Sequence, residues 1–515
     1  MNLHKTLATV SGMTMLSRVA GLIREILFAS TFGASAFTDA FNIAFRIPNL
    51  LRRLFAEGAF SQAFVPILGE YKNKKGDAAT KHLVDHVGIV MTWVMLITCV
   101  IGILATPFLI YFMATGLKSD PAAFNASVVM TRIMFPYIGF MSFVALAGGI
   151  LNTWHEFKIP AFTSVLLNLA FIIASLFVAP YMAQPIYAMA FAVLVGGVLQ
   201  VAIQIPALRK IGMMPRMFGN PLVGLRDSGV RRVLKKMGPA VFAVSAAQIS
   251  LMINTNIASR LPHGSVSWLT YGDRLMEFPT ALLGVALGTI LLPSLSKANA
   301  NADHREYSSL LDWGLRLTFL LALPAAVGLA TLSIPLTATL FHHGKFDAIS
   351  VAMTSRILIA YGVGLIGLIV VKILAPGFYA KQDIKTPVKI AFAVLITTQL
   401  LNSVFVPVFA VAGLALSISF GACMNASLLL WSLMRRGIYT PEKGWLLYFA
   451  RLVGALCLMA GVALWSADQF DWIGVSSSLA RIGALLVVLA ACVVVYFGAL
   501  LAMGFRFQDF KRTSH

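Results

Sequence analysis

The chain has 515 residues, of which 59% are hydrophobic and only 12% are charged, and its mean hydropathy is +0.84. Soluble domains usually carry about 25% charged residues, so this composition excludes an ordinary soluble protein and indicates a polytopic membrane protein. The formal net charge of +20 does not predict a nucleic-acid partner, because the basic residues lie mainly in alternate loops, which is the positive-inside pattern of membrane proteins.

Apolar stretches follow one another along almost the whole chain, and most reach the ~20 residues that a membrane-spanning helix needs. The first contains Arg18 and Arg24 where a cleavable signal would have an apolar centre, so we interpret it as a retained helix. Pro48 lies inside the long second stretch and predicts a bend there. We predict an all-α polytopic membrane protein with about fourteen transmembrane helices, at residues 7–31, 35–69, 83–114, 123–151, 159–181, 184–208, 232–259, 266–296, 308–340, 351–378, 386–409, 412–434, 445–467 and 477–504.

The loops between these spans alternate in charge. One set contains basic clusters such as residues 72–81 and 209–236, whereas the opposite set has little beyond Lys118, Arg260 and Lys345. Basic loops of membrane proteins face the cytoplasm. We therefore predict that both termini are cytoplasmic and that the number of spans is even.

Two parts of the chain resemble each other at an offset of about 227 residues. Residues 154–160 and 381–387 each contain an acidic residue, a lysine two positions later and a proline two positions after that, and Pro66 pairs with Pro293. An even number of spans between the copies gives them the same orientation, as in parallel transporter repeats. We predict two pseudo-symmetric six-helix lobes and two C-terminal helices, divided into an N-terminal lobe (1–208), a cytoplasmic connector (209–231), a C-terminal lobe (232–437) and a final hairpin with the tail (438–515).

Ionisable residues interrupt three of the apolar stretches. In the second stretch, Asp39, Arg46 and Arg53 are seven residues apart and share one face of a helix. In the first, Arg18 and Arg24 are about 120° apart around a helix and need not act together. An arginine at the centre of a bilayer costs about 2.5–3.5 kcal/mol on insertion scales. We therefore expect these side chains to face a wet cavity between helices.

Two interpretations of these charges remain open. The structural one is ion pairing that fastens helices together, since Asp39, Glu57, Asp273 and Glu277 nearly balance the arginines. The functional one is recognition of an anionic head group by the arginines, including Arg274 beside Asp273. A guanidinium group matches phosphate oxygens in a bidentate way and does not deprotonate. The carboxylates would then hold the arginines in place or exchange with the ligand.

No sequence pattern predicts catalysis or a bound cofactor. The chain has no Gly-x-x-x-x-Gly-Lys phosphate-binding loop and no evident pairing of a nucleophile with a base. The four cysteines all lie in apolar stretches without a C-x-x-C motif, and His342 and His343 lack further clustered metal ligands. We predict that the protein is not an enzyme and that it has no metal site or cofactor.

Four motifs make the chain similar to a known family. They occupy residues 49–61 (NLLRRLFAEGAFS), 273–279 (DRLMEFP), 284–293 (GVALGTILLP) and 375–379 (APGFY). Through them the chain resembles, over nearly its whole length, the MurJ (MviN) family of lipid II flippases in the multidrug/oligosaccharidyl-lipid/polysaccharide exporter superfamily. The resemblance implies fourteen helices, two pseudo-symmetric lobes with two extra helices, and a location in the bacterial inner membrane.

The resemblance also implies a cargo and a set of residues. The cargo is lipid II, an undecaprenyl-pyrophosphate-linked disaccharide-pentapeptide, and membrane lipids and cell-wall synthesis proteins are further candidate partners. Our hypothesis for the mechanism is alternating access, with the pyrophosphate held by cavity arginines. Arg46 stands where a lysine is usual in the family. The implied substrate-binding residues are Arg18, Arg24, Asp39, Arg46, Arg52, Arg53, Glu57 and Arg274, supported by Asp273 and Glu277.

Two other functions remain open on the sequence alone. A cation-coupled exporter of small drugs with the same fold would favour exposed carboxylates and aromatic residues in its cavity over arginines. A cell-envelope assembly protein without transport activity would cause no accumulation of a lipid-linked precursor when it is depleted. The arginines favour the flippase.

Overall fold

The computed structural model describes the backbone of residues 3–506, and the side chains in that range except those of residues 3–11, 14, 55–58, 285–286 and 288–290. The described residues are almost entirely helical and include no strand. Their α-helices are α1 Leu3–Phe32, α2 Ala36–Leu51, α3 Ser61–Lys74, α4 Gly76–Met113, α5 Pro121–Met134, α6 Tyr137–Thr153, α7 Lys158–Ile173, α8 Tyr187–Lys210, α9 Pro221–Arg226, α10 Ser228–Ser259, α11 Ser265–Pro279, α12 Ala286–Ala300, α13 His304–Thr331, α14 Ser333–Phe341, α15 Ala348–Tyr379, α16 Lys385–Phe409, α17 Val411–Arg435, α18 Trp445–Asp468 and α19 Ser478–Ala502.

Eleven helices within the described part of the chain are long and apolar enough to cross a membrane, when α5 and α6 are counted together. They correspond to eleven of the fourteen predicted spans. The other three predicted spans are also helical, and they are the ones that carry the candidate substrate-binding residues. Two of them contain a π-helical segment, Arg52–Phe60 between α2 and α3 and Thr280–Val285 between α11 and α12. The all-α, multi-pass architecture is confirmed.

The internal repeat predicted from the sequence appears in the helix bounds. α1 and α10, α5 and α15, and α7 and α16 each begin about 227 residues apart. Of the three π-helical segments in the described residues, Arg52–Phe60 and Thr280–Val285 occupy matching places, whereas Ala174–Val178 has no π-helical counterpart. Left-handed backbone conformations recur at a similar offset, at His155 (φ 62°) and Gln382 (φ 59°), and at Gly212 (φ 71°) and Gly437 (φ 69°). The two copies therefore share their helix order and the turns that end their helices, and α18 and α19 follow as the two extra helices.

Contacts between helices divide the chain into two compact units, Met1–Ser267 and Trp268–His515. α10 belongs to the first unit because it packs against α3, α4 and the first π-helical segment. The predicted lobes instead divide at residues 208 and 232, on the criterion of sequence repetition. Those boundaries stay a prediction.

An apolar core in the first unit positions the first π-helical segment. Phe64 on α3, Leu83 on α4 and Leu146 on α6 are fully buried in one cluster. Phe60, the last residue of the segment, is 5% exposed and belongs to the same cluster. The end of the segment is therefore fixed by packing, while Arg52 and Arg53 at its start remain half-buried.

Close approach of backbones holds α15 against α17 in the second unit. A Cβ atom added to Gly364 would lie 2.2 Å from the Cα of Ser419, and one added to Gly367 would lie 2.6 Å from the backbone nitrogen of Cys423. Membrane helices associate through such small-residue contacts, because lipid provides no hydrophobic driving force between them. This packing fixes α15, whose Tyr361 reaches a charged residue of α11.

Candidate functional site

Arg24 lies on α1 and is held by α7. Its Nη1 donates a hydrogen bond to Asn168 Oδ1 at 2.9 Å, its Cζ lies 5.3 Å from the centre of the Phe171 ring, and its Nη2 pairs with Glu25. Asn168 in turn donates to the carbonyl of Ser17 at 3.1 Å. The Arg24 side chain is 17% exposed, so its direction is fixed by three neighbours while part of the guanidinium group remains accessible.

Arg18 lies six residues before Arg24 and is half-buried. Its guanidinium group makes no hydrogen bond or ion pair within the described part of the chain. This agrees with the expected separation of about 120° around the helix, since Arg24 faces α7 through Asn168. Beside it, Ser17 Oγ and Ser164 Oγ lie 2.9 Å apart and join α1 to α7.

The face of α2 that carries Asp39 packs on the end of α10 and on the turn that follows it. Asp39 is 5% exposed and accepts hydrogen bonds from the backbone nitrogens of Gly264 (2.7 Å) and Ser267 (2.8 Å) and from Ser267 Oγ (2.7 Å). Arg46, seven residues later on the same face, donates to the hydroxyl of Thr255. These contacts indicate that Asp39 holds two elements together.

Arg52 and Arg53 lie where α2 gives way to the π-helical segment Arg52–Phe60. Arg52 Nε donates to Asn49 Oδ1 at 2.9 Å. π-Helical turns inside α-helices are frequent at functional sites. The π-helical segment also interrupts the spacing of 3.6 residues per turn, at which Arg53 and Glu57 would share one face of an α-helix. The side chain of Glu57 lies outside the described residues.

In the second unit, Asp273, Arg274 and Glu277 all lie on α11. Arg274 Nη1 is 3.1 Å from Glu277 Oε2, and these side chains are 34% and 51% exposed. Asp273 Oδ1 instead accepts a hydrogen bond from the hydroxyl of Tyr361, which is fully buried on α15. The Asp273 carboxylate therefore points into the contact between α11 and α15, whereas the ion pair of Arg274 and Glu277 is partly exposed.

The described candidate residues fall into two sets, one on each unit. The sequence analysis missed three of their polar partners, Asn168, Thr255 and Tyr361. Asn168 had a signal, since it is the lone amide near the middle of its predicted span 159–181, whereas a threonine and a tyrosine in membrane helices are too common to stand out. The first set comprises Arg18, Arg24, Asp39, Arg46, Arg52 and Arg53, and the second comprises Asp273, Arg274 and Glu277.

Comparison with known proteins shows which family this chain is similar to. A family model described as "Lipid II flippase MurJ" matches residues 28–485. The lipid II flippase MurJ of Burkholderia cenocepacia is 60% identical over 513 residues, 99% of each chain. Two proteins named probable lipid II flippase MurJ, from Buchnera aphidicola and Vibrio cholerae, are 42% and 38% identical; the first match covers 89% of each chain, and the second covers 98% of this chain and 96% of the relative.

Solved structures support the same fold. One described as "Lipid II flippase MurJ, inward closed conformation" has a TM-score of 0.80 at 24% identity, over 98% of this chain and 99% of that chain. An inward-facing multidrug resistance MATE family transporter of the MOP superfamily has a TM-score of 0.69 at 14% identity, over 83% of this chain and 97% of that one. Because the family model covers most of the sequence and the 60% identical relative matches it from end to end, this multi-pass membrane protein belongs to the lipid II flippase MurJ family.

Proposed function

We propose that this protein flips lipid II from the cytoplasmic to the periplasmic leaflet of a bacterial inner membrane. The observation that carries the proposal is the 60% identity, over 99% of both chains, to a lipid II flippase. The arginines in the helices support it, because the group that must cross the membrane carries a pyrophosphate. The protein acts as a transporter and catalyses no covalent step.

The pyrophosphate is the part of the cargo that the arginines recognise. Arg24 offers a guanidinium fork already oriented by Asn168, and the Arg274 side chain, which pairs with the exposed Glu277, is itself 34% exposed. Bidentate hydrogen bonds from an arginine to phosphate oxygens are stronger than an exposed ion pair such as that of Arg274 and Glu277. The ligand therefore replaces Glu277 as the partner of Arg274, and Arg18, Arg52 and Arg53 add further positive charge.

The cycle is alternating access. The head group enters while the protein is open to the cytoplasm, the polyprenyl tail stays in lipid, and the head group leaves on the periplasmic side. Movement of one net charge through the membrane potential is worth ~2.3 kcal/mol per 100 mV, which is enough to bias the cycle without a nucleotide. Arg46 contributes by keeping α2 in contact with the end of α10, and Asp39 by holding α2 against Gly264 and Ser267, which follow α10.

Depletion of the protein in its own cells tests this function directly. The readout is the fraction of lipid II that a membrane-impermeant lipid II-cleaving enzyme can reach from outside. We expect this fraction to fall on depletion while total lipid II rises, and to recover when the wild-type chain is restored. An unchanged accessible fraction in depleted cells would overturn the proposal and favour a drug exporter or an assembly protein.

Substitutions in the same assay test the arginines. Arg24→Ala and Arg274→Ala are expected to insert at wild-type abundance and to restore less than about a tenth of the accessible lipid II, since a hydrogen-bonded charge contact is worth about 1.5–3 kcal/mol. Arg356→Ala is the matched control, because Arg356 is an exposed arginine on α15 outside the candidate set. Full recovery with both Arg24→Ala and Arg274→Ala would exclude these two residues from cargo binding.

A further inference from the structure

Three metal-ligating side chains come together at a place that the transport proposal does not use. His82 and His86 lie on α4, and Asp227 precedes α10; one ligand atom of each lies within 4.8 Å of the others. His82 Nδ1 is 3.4 Å from Asp227 Oδ2. Two ligands bound 2.0–2.1 Å from a tetrahedral zinc ion are about 3.3–3.4 Å apart. This nitrogen and this oxygen are therefore already spaced as ligands of one ion.

Separate hydrogen bonds orient two of these three side chains, His86 and Asp227. His86 Nδ1 is 2.9 Å from the carbonyl oxygen of His82. When Nδ1 donates its proton there, Nε2 keeps the lone pair, which is the usual arrangement of a metal-bound histidine. Asp227 Oδ1 accepts hydrogen bonds from the backbone nitrogens of Gly229 (2.9 Å) and Val230 (3.1 Å). That leaves Oδ2 directed at His82.

The cluster lies at the end of a segment that runs along α4. We call residues 211–227 the connector strap. Asp85 Oδ1 accepts a hydrogen bond from the backbone nitrogen of Arg216 at 2.9 Å, and Trp93 Nε1 donates to the carbonyl of Gly219 at 3.0 Å. The strap then reaches Asp227, the N-cap residue of α10. An ion at the cluster would fasten the start of α10 to α4 where the strap ends.

In contrast to the prediction from the sequence that the protein has no metal site, we propose that His82, His86 and Asp227 bind a divalent transition-metal ion of the zinc type. Two imidazoles and one carboxylate are a ligand set that zinc accepts, with water in the fourth position. Imidazole donors favour zinc and its neighbours over magnesium or calcium, which take oxygen ligands. The bound ion cross-links α4 and the N-terminus of α10 through the connector strap.

Zinc binding to the purified full-length protein, in detergent and without a histidine tag, tests this site. In competition with a chromophoric chelator we expect one saturable Zn²⁺ ion per chain at this site. His82→Ala and His86→Ala are each expected to weaken its binding by at least about tenfold, the range seen even for loss of outer-shell partners. The His82 side chain is 63% exposed, so its replacement does not disturb packing.

Two further variants separate metal binding from helix structure. Asp227→Ser keeps a side chain that caps α10 but removes the carboxylate ligand, so it is expected to weaken zinc binding without lowering the melting temperature of the zinc-free protein. His304→Ala removes an exposed histidine at the start of α13 and is expected to leave binding unchanged. Equal zinc affinity in wild type, His82→Ala, His86→Ala and Asp227→Ser would overturn the proposal and leave an ion pair only.

Limited proteolysis gives a readout that does not depend on transport. Trypsin has cleavage sites at Arg216 and Arg226 in the connector strap. We expect zinc to slow cleavage there several-fold in the wild-type protein and to have no effect in His82→Ala. A strap that is cleaved at the same rate with and without saturating zinc would contradict the proposed cross-link.

Discussion

At the scale of single residues, an arginine binds an anion best when its direction is fixed before the anion arrives, because ordering a flexible side chain on binding costs about 0.5–1.5 kcal/mol. Asn168 provides this for Arg24. Its amide accepts from Arg24 and donates to the carbonyl of Ser17, so it cannot turn without losing one of the two bonds. We therefore regard Asn168 as a positioning residue for the pyrophosphate.

Replacement of this amide is the first test at the residue scale. Asn168→Ala is expected to leave abundance near that of wild type and to slow lipid II exposure by about tenfold, since hydrogen bonds to charged groups are worth about 1.5–3 kcal/mol. Ser164→Ala is the control, because it removes a hydrogen bond between the same two helices without touching Arg24. Equal rates in the two variants would mean that Asn168 only joins α1 to α7.

The sequence predicted the charged residues at this scale, but it did not predict what each one contacts. A charged residue inside an apolar stretch can be recognised from the sequence alone, so Arg24 and Asp39 were both identified in the same way. Their surroundings differ because Asp39 is 5% exposed and saturated by Gly264 and Ser267, whereas Arg24 stays partly accessible. That difference arises from the way the helices pack, which cannot be predicted from residue spacing alone.

At the scale of elements, the two repeat copies share their turns but differ in how each turn is held. In the second copy, Asp383 accepts hydrogen bonds from the backbone nitrogen of Thr386 (3.1 Å), from its hydroxyl (2.6 Å) and from Arg436 (2.7 Å). Burial raises the pKa of the Asp383 carboxyl, but these hydrogen bonds outweigh burial and bring the pKa below its ordinary value. The equivalent Glu156 makes no side-chain hydrogen bond within the described residues.

This asymmetry predicts a pH-dependent stability. Because the folded protein binds this proton less readily than the unfolded chain, Asp383 stabilises the fold fully above the ordinary aspartate pKa of about 3.9, and the effect is lost as pH falls through the lower folded value. Asp383→Asn is therefore expected to destabilise the protein by about 1 kcal/mol at pH 7, and its difference from wild type is expected to shrink steadily as the pH falls below about 3.9. Thermal unfolding in detergent measures this.

The repeat itself supplies the control for that experiment. Glu156→Gln changes the equivalent acidic residue and is expected to leave the melting temperature unchanged at both pH values. A destabilisation by Asp383→Asn that is the same at pH 3 as at pH 7 would show that the carboxylate charge is not what holds the turn.

The element scale also shows why part of the fold escaped the sequence analysis. Helix positions were predictable because the apolar stretches have a clear length and the repeat recurs at a fixed offset. The π-helical segment Arg52–Phe60 was not predictable, because the shared face of Asp39, Arg46 and Arg53 assumes an uninterrupted period of 3.6 residues per turn. One segment with a wider turn changes the direction of every later side chain.

At the scale of the whole molecule, the distribution of basic residues predicts a membrane orientation for every loop. The orientation predicted for the loops in the second half of the chain depends on whether α11 and α12 together cross the membrane. They carry Asp273, Arg274 and Glu277 and flank the π-helical segment Thr280–Val285, and they are not among the eleven helices that are long and apolar enough to span. If this pair crosses the membrane, Arg260 before it and Lys297 after it lie on opposite sides.

Cysteine labelling from outside the cell tests this crossing. In a functional variant whose four native cysteines are replaced, Lys118→Cys and Arg260→Cys are expected to react with a membrane-impermeant maleimide in cells whose outer membrane is permeable to the reagent, because both belong to the sparsely basic loops that the positive-inside rule assigns to the periplasm. Lys297→Cys is expected to react only after the inner membrane is opened. Labelling of Arg260→Cys and Lys297→Cys from the same side would mean that the charged helices do not span. The count of fourteen would then fall, the loops after α12 would exchange sides, and Arg274 would not lie in a helix that crosses the bilayer.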